Sequence, residues 1–162
     1  MNVATTKPHS GNQALRSGRA SLPNHTYLIT AVVHERHRLF EDFDTACLMS
    51  KTLNASKLWP DAKLLAWVLM PDHLHLLVEL GETEPLSRVV QRVKSVTATA
   101  LRRHLASPPR IWQSAYHERA LRQSDDVRTA ARYLVANPLR AGLVTQIGAY
   151  PFWNAVWLTE SP

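Results

Sequence analysis

Cysteine, glycine and long apolar runs are scarce in this sequence of 162 residues. The one cysteine, Cys47, excludes an internal disulfide framework and a cysteine-rich zinc site, and it fits a reducing cytoplasm. The most apolar run, Leu64 to Pro71, is too short to cross a bilayer, and the N-terminal residues lack the apolar core of a signal peptide. The five glycines are scattered and form no phosphate-binding loop. The composition therefore predicts a cytoplasmic protein without a membrane span.

Positive charge is concentrated in one part of the chain. Residues 88–140 hold eleven Lys and Arg against three acidic residues, a balance of +8, whereas the rest has eight basic and ten acidic residues, a balance of −2. Such clustering gives one face of a folded domain the potential that attracts a polyanion. A solvated basic surface without a partner is the alternative that charge alone leaves open. Nucleic acid is thus a candidate partner.

Apolar spacing predicts the order β-α-β-β-α-β, followed by a further helix. The predicted strands are 26–33, 63–70, 73–80 and a short one within 114–122. The predicted helices lie within 41–58, over about 86–105, and after Ser124, Asp125 and Asp126. This order is typical of a ferredoxin-like α+β fold, an antiparallel sheet with helices on one face and the other face open. Residues 1–22 are predicted to be a flexible basic arm, and residues 23–162 a single domain.

Two histidines stand one residue apart in the apolar run MPDHLHLL. Side chains alternate between the faces of a strand, so His73 and His75 share one face, opposite the apolar Leu74, Leu76 and Val78. Their Cβ atoms are expected about 7 Å apart, which is two strand rises of about 3.3 Å. Ring nitrogens converge on one divalent cation from that separation. Two surface histidines are the alternative; we interpret the pair as candidate metal ligands on an exposed sheet face.

Tyr133 and Asn137 lie four residues apart, on one side of the predicted C-terminal helix. A core aromatic and a helix C-cap before Pro138 are the structural alternatives for these two residues. Near a divalent cation, however, a tyrosinate is a competent nucleophile toward a phosphodiester, because the metal polarises the phosphate. Tyr116 is the rival nucleophile. Tyr133 is preferred because one helix presents both its phenol and Asn137 to the same metal.

These motifs resemble those of the REP-associated tyrosine transposases, relatives of the single-tyrosine transposases of bacterial insertion sequences. The resemblance covers nearly the whole chain, through GRASLPNHTYLIT, WVLMPDHLHLLVEL, QRVKS, IWQSAYHERALR, ARYLVANPLRAGLV and YPFWNAVW. A histidine-hydrophobic-histidine pair combined with a later tyrosine helix is what makes it specific.

The resemblance implies a DNA strand-transfer enzyme that acts on palindromic hairpin repeats. It implies that His73 and His75 bind Mg²⁺ or Mn²⁺ and that Tyr133 attacks single-stranded DNA, forming a 5′-phosphotyrosine and a free 3′-hydroxyl. Reversal of this step rejoins DNA without ATP. Asn137 stands where the insertion-sequence relatives have a glutamine ligand, and it is expected to be the third metal ligand.

Two groups of basic residues are expected to contact DNA, the first of them through its phosphates. The first group lies on the long helix: Arg88, Arg92, Lys94 and Arg103. A solvated face without a partner is the alternative for this group. On the arm, Arg16 and Arg19 are expected to reach a hairpin or its flanking bases, a disordered terminus being the alternative.

The sequence leaves three other functions open. It also allows either a monomer or a homodimer. The first is an inactive or domesticated regulator that binds DNA hairpins without cleaving them. The second is a metal-dependent hydrolase, although the eight histidines form no second cluster at ligand spacing. The third is a structural protein without chemistry, which explains neither the basic segment nor the histidine pair.

Overall fold

A computed structural model describes residues 21–106, 110–122 and 125–158. The strands are β1 Thr26–Val32, β2 Ala62–Met70, β3 His73–Leu80, β4 His117–Ala120 and β5 Trp153–Ala155. The helices are α1 Phe43–Leu53, α2 Leu86–His104, α3 Val127–Val135 and α4 Asn137–Arg140. The predicted β-α-β-β-α-β order is confirmed, and the C-terminal aromatic segment adds a fifth strand.

The five strands form one antiparallel sheet in the order β4-β1-β3-β2-β5. The first four are arranged as in a ferredoxin-like fold, which confirms the predicted class. β3 is central, because β1 pairs with one of its edges and β2 with the other. Residues 73–79 of β3 therefore have a neighbouring strand on both sides, which holds their side chains in position.

Helices α1 and α2 cover one face of the sheet. Alternate residues of β3, Leu74, Leu76 and Val78, are buried in this layer, as the strand alternation predicts. The buried stripe of α2 packs against them: Leu86, Val89, Val90, Val93, Ala98 and Leu101. Each large aliphatic side chain buried in this way contributes about 1.5–3 kcal/mol. This layer is the main hydrophobic core.

Helix α3 covers part of the opposite face, so the expectation that this face is open is wrong. Ala131 and Leu134 of α3 are buried with Val68 of β2 and Leu77 of β3 in a second, smaller core. The physical reason is the apolar stripe of α3 itself, which has to be buried against an apolar surface. His73 and His75 lie on this same face of β3 and are partly buried.

The predicted N-terminal arm and the predicted lack of a membrane span are the remaining expectations about the fold. Arg16 and Arg19, with nearly all of the predicted arm, lie outside the described residues. Within the described ranges, no helix combines the length and the apolar character that a bilayer crossing requires.

Candidate metal and nucleophile site

The two histidines of β3 point their Nε2 atoms at each other. The distance between the Nε2 atoms of His73 and His75 is 3.1 Å, and the rings meet edge to face with centroids 4.7 Å apart. Both side chains thus lie on one side of the strand, as the alternation predicts. The same two nitrogens that approach each other are available as ligands to a single cation.

The Nδ1 atom of His73 contacts the carboxylate of Asp72 at 2.5 Å, and the second oxygen of Asp72 accepts a hydrogen bond from Arg36 at 3.1 Å. Burial opposes ionisation of Asp72, but the hydrogen bond and charge of His73, followed by those of Arg36, hold the pKa of this carboxyl below its usual value. A carboxylate on Nδ1 fixes the ring orientation and directs Nε2 toward the site, as in many histidine–metal centres.

His75 has an equivalent partner on the neighbouring strand. Its Nδ1 atom lies 2.8 Å from Oγ1 of Thr30, the residue directly opposite it on β1. Burial, together with the positive charges of His73 and Arg140, lowers the pKa of His75 to about 4. The imidazole is therefore neutral at neutral pH, which is the form that binds a metal ion.

The 3.1 Å separation between the two Nε2 atoms is a hydrogen-bond distance, and it is short enough for both nitrogens to bind one divalent cation at about 2.1 Å. In the part of the chain that the structure describes, no group of three His, Cys, Asp or Glu side chains converges on such a site. Two nitrogens leave most positions to oxygen ligands, which suits Mg²⁺ or Mn²⁺ contacting a phosphate.

Tyr133 lies on the solvent side of α3, with 65% of its surface exposed. The guanidinium carbon of Arg140 is 3.8 Å from the centroid of its ring. The charge of Arg140 also acts on His75. One guanidinium therefore stacks on the tyrosine ring and lies within electrostatic reach of the histidine pair, so it joins the two halves of the candidate site.

The other three tyrosines are placed differently. The Tyr27 hydroxyl accepts a hydrogen bond from the backbone of Leu22, and its side chain is buried. The Tyr150 hydroxyl donates to the Leu69 carbonyl at 2.6 Å, and burial raises the pKa of this phenol to about 12. Tyr116 packs against the core on the side of α1 and α2, opposite the histidines. Tyr133 alone combines an exposed phenol with a position on the histidine side.

Asn137 begins α4, whereas Tyr133 lies in α3. The expectation that both residues share one continuous helix is therefore wrong. The break has a local cause: Pro138 has no N–H to donate to the carbonyl of Leu134, four residues earlier. The Nδ2 atom of Asn137 donates to that carbonyl instead, at 2.7 Å. The Asn137 side chain thus satisfies a carbonyl in the last turn of α3, although the C-cap residue itself is Ala136. A metal contact, through the amide oxygen, stays a prediction.

Two residues of the predicted basic row on α2 have partners within the protein. Arg92 forms a forked ion pair with the carboxylate of Glu84 and also donates to the Leu58 carbonyl at 2.9 Å. Lys94 donates to backbone carbonyls of residues 113–115. The side chains of Arg92 and Lys94 thus hold loops onto α2. These contacts do not support the assignment of the two residues to DNA phosphates. Partners that lie outside the helix are not revealed by helical spacing.

Arg88 and Arg103 are exposed, but α2 packs on the sheet face opposite the histidines. Phosphate contacts by these two residues stay a prediction, and they require DNA that extends beyond the candidate site.

Exchanging Arg88 and Arg92 separately distinguishes these roles. Arg92→Gln is expected to lower the free energy of unfolding by about 1–2 kcal/mol, since a hydrogen-bonded, partly buried carboxylate loses its partner. Arg88→Gln is expected to change it by less than about 0.5 kcal/mol but to reduce the salt dependence of DNA binding by up to about one unit. Thermal unfolding and binding titrations at several salt concentrations measure both. Equal loss of stability in the two variants contradicts this assignment.

Four residues of the site were missed by sequence reasoning: Thr30, Arg36, Asp72 and Arg140. Asp72 had a signal, because a carboxylate next to a histidine pair is a frequent partner of ligating imidazoles. The position of Thr30 depends on the register between β1 and β3, and those of Arg36 and Arg140 on loop and helix packing. None of these is encoded in local periodicity.

Comparisons with known proteins identify the family to which the chain belongs. A family model of IS200-like transposases matches residues 21–137, a range that includes both histidines and Tyr133. A REP-associated tyrosine transposase of Escherichia coli (strain K12) is 33% identical over 89 residues, 54% of this chain and 50% of that protein. The chain thus spans about half the length of this curated relative.

A solved structure gives the same resemblance in three dimensions. It is that of a REP-associated tyrosine transposase bound to a REP hairpin, with a TM-score of 0.64 and 25% identity. The match covers 83% of this chain and 79% of that one. The family resemblance expected from the motifs is confirmed.

Proposed function

Because this chain belongs to the family of IS200-like transposases, we propose that it cleaves and rejoins single-stranded DNA at hairpin sequences, with Tyr133 as the nucleophile. The observation that carries the proposal is the convergence of the His73 and His75 Nε2 atoms at 3.1 Å, on the sheet face where the exposed Tyr133 is stacked on Arg140. A cation position and a phenol on one face are the two components that metal-assisted tyrosine attack requires.

The proposed reaction exchanges one phosphoester for another. The Tyr133 hydroxyl gives up its proton, and its oxygen attacks the phosphorus of a phosphodiester. The bond from phosphorus to the 3′-oxygen breaks, and that oxygen takes up a proton to become a 3′-hydroxyl. The phosphate remains as a 5′-phosphotyrosine. Attack by a 3′-hydroxyl on this linkage restores the phosphodiester and the phenol, so no ATP is consumed.

Each residue of the site has a part in this step. His73 and His75 would hold the divalent cation through their Nε2 atoms, and the amide oxygen of Asn137 is the proposed third protein ligand. When bound, the cation polarises the phosphate and offsets its developing charge. Arg140 holds the Tyr133 ring by stacking and places a positive charge beside the anionic phosphate.

The proposed substrate is hairpin DNA of the REP type. Its support is the similar structure of a relative bound to a REP hairpin and the +8 balance of residues 88–140. Hairpin ends and flanking single strands expose unpaired bases and a flexible backbone, which an in-line attack on phosphorus requires. A chromosomal substrate of this kind agrees with the expected cytoplasmic location.

The test is incubation of the protein with single-stranded hairpin DNA and Mn²⁺. We expect a protein–DNA adduct that survives denaturation, together with a shortened strand that ends in a 3′-hydroxyl. Chelation of the metal with EDTA is the control and abolishes both products. Hairpin binding without adduct or cleavage over a range of hairpin sequences contradicts the proposal and favours a binding regulator instead.

A further inference from the structure

A groove of about 420 Å³ runs along α3 and α4 on one side and β5 with the following turn, Val156–Leu158, on the other. It is distinct from the histidine pair and from the Tyr133 ring, neither of which lines it. Its described lining includes two arginines, two tryptophans and no acidic side chain: Arg128, Arg132, Trp153 and Trp157 among apolar residues. A wall of this composition matches a ligand that is flat, aromatic and negatively charged at its edges.

The aromatic and cationic groups are close to each other. The guanidinium carbon of Arg128 lies 5.9 Å from the centroid of the Trp157 ring. Leu139 and Leu158, which also line the groove, keep 37% and 62% of their surfaces exposed. Single-stranded nucleic acids are bound by this combination, in which bases stack on aromatic rings while arginines track the backbone.

The sheet register relates the groove to the candidate site. Trp153 of β5 lies opposite Val68 of β2, and Val68 lies opposite His75 of β3. Directly paired residues share a face, so Trp153 and His75 belong to one row across the sheet, about 10 Å apart at the usual strand spacing. Because α3 buries Val68 between them, a strand that links the two places passes over α3 and needs at least about three nucleotides at a rise of about 3.4 Å.

We propose that this groove binds an unpaired base of the DNA strand next to the cleaved phosphodiester, with the base stacked on Trp157. Arg128 and Arg132 contact the phosphates on either side of that base. The inference rests on the proposed function, since it takes the strand from the site around Tyr133. To the proposed function it adds a contact that holds the single strand in place, independently of the hairpin and of cleavage.

The test compares two probes of equal charge: a short oligothymidylate and an abasic oligomer of the same length. The wild-type protein is expected to bind the oligothymidylate about tenfold more tightly, the scale of one base–aromatic stack. Trp157→Leu keeps an apolar side chain but removes the ring, and it is expected to abolish this preference. Trp157→Phe retains a ring and is expected to retain most of it.

Val156→Ala is the matched control, because Val156 precedes Trp157 in the same turn but does not line the groove. It is expected to leave the preference unchanged, and thermal unfolding shows that each variant is folded. Equal binding of both probes by the wild type, or a preference that survives in Trp157→Leu, overturns the inference. Neither outcome depends on adduct formation, so a failure here and a failure of the proposed cleavage are separate results.

Discussion

Tyr133→Phe is expected to eliminate the covalent protein–DNA adduct and to reduce strand cleavage by roughly 10³-fold or more, because the attacking oxygen is gone. The phenyl ring still stacks on Arg140, and the side chain is 65% exposed. Hairpin affinity and thermal stability are therefore expected to remain close to those of the wild type. Denaturing gels of a labelled hairpin measure the adduct, and binding titrations measure the affinity.

Tyr116→Phe is the matched control for this variant. Tyr116 packs against the core on the side of α1 and α2, which is the sheet face opposite the histidine pair. We expect the adduct to form in this variant as in the wild type. An adduct that persists in Tyr133→Phe and disappears in Tyr116→Phe excludes our assignment of the nucleophile.

His75→Ala is expected to reduce Mn²⁺-dependent cleavage by at least about 100-fold, since it removes one of the two nitrogens that are proposed to hold the cation. The same result is expected for His73→Ala. Thr30→Val, which removes the hydroxyl 2.8 Å from His75 Nδ1, is expected to have a smaller effect of about tenfold, because the ligand stays but loses its orientation. Cleavage rates across a Mn²⁺ titration measure all three.

His117→Ala is the control for the histidine pair. His117 lies opposite Thr30 in the β1–β4 register, so it occupies the same face and the same row as His75, but two strands away from β3. This places it about 10 Å from His75, beyond the reach of a shared cation. Loss of cleavage in His117→Ala as complete as in His75→Ala, or full metal-dependent cleavage by His75→Ala, contradicts the proposed ligand set.

The central part of the fold follows from local sequence pattern. In β3, apolar side chains at every second position require a core on one side of the strand. Alternation alone therefore places both histidines on the other side. The start of α3 is equally local, because the Asp126 carboxylate accepts hydrogen bonds from the backbone of Arg128 and Thr129. These elements were predicted within one or two residues.

Contacts between distant segments were not predictable in this way. The position of α3 over the histidine face depends on which of two apolar sheet faces it covers, and a single helical stripe fits either. Arg92 was assigned to DNA because its carboxylate partner, Glu84, lies in a loop before the helix rather than on it. Arg140 was overlooked because its stacking on Tyr133 joins α4 to α3 across the break at Pro138.

Peptide mapping of the trapped adduct tests the central claim most directly. Trypsin cleaves after Arg132 and Arg140, so residues 133–140 form one peptide with Tyr133 as its only tyrosine, and residues 111–119 form another that contains Tyr116. Mass spectrometry of the nuclease-trimmed adduct is expected to find the added nucleotide phosphate on Tyr133 in the first peptide. Its attachment to the 111–119 peptide, or to any residue other than Tyr133, contradicts the proposed mechanism.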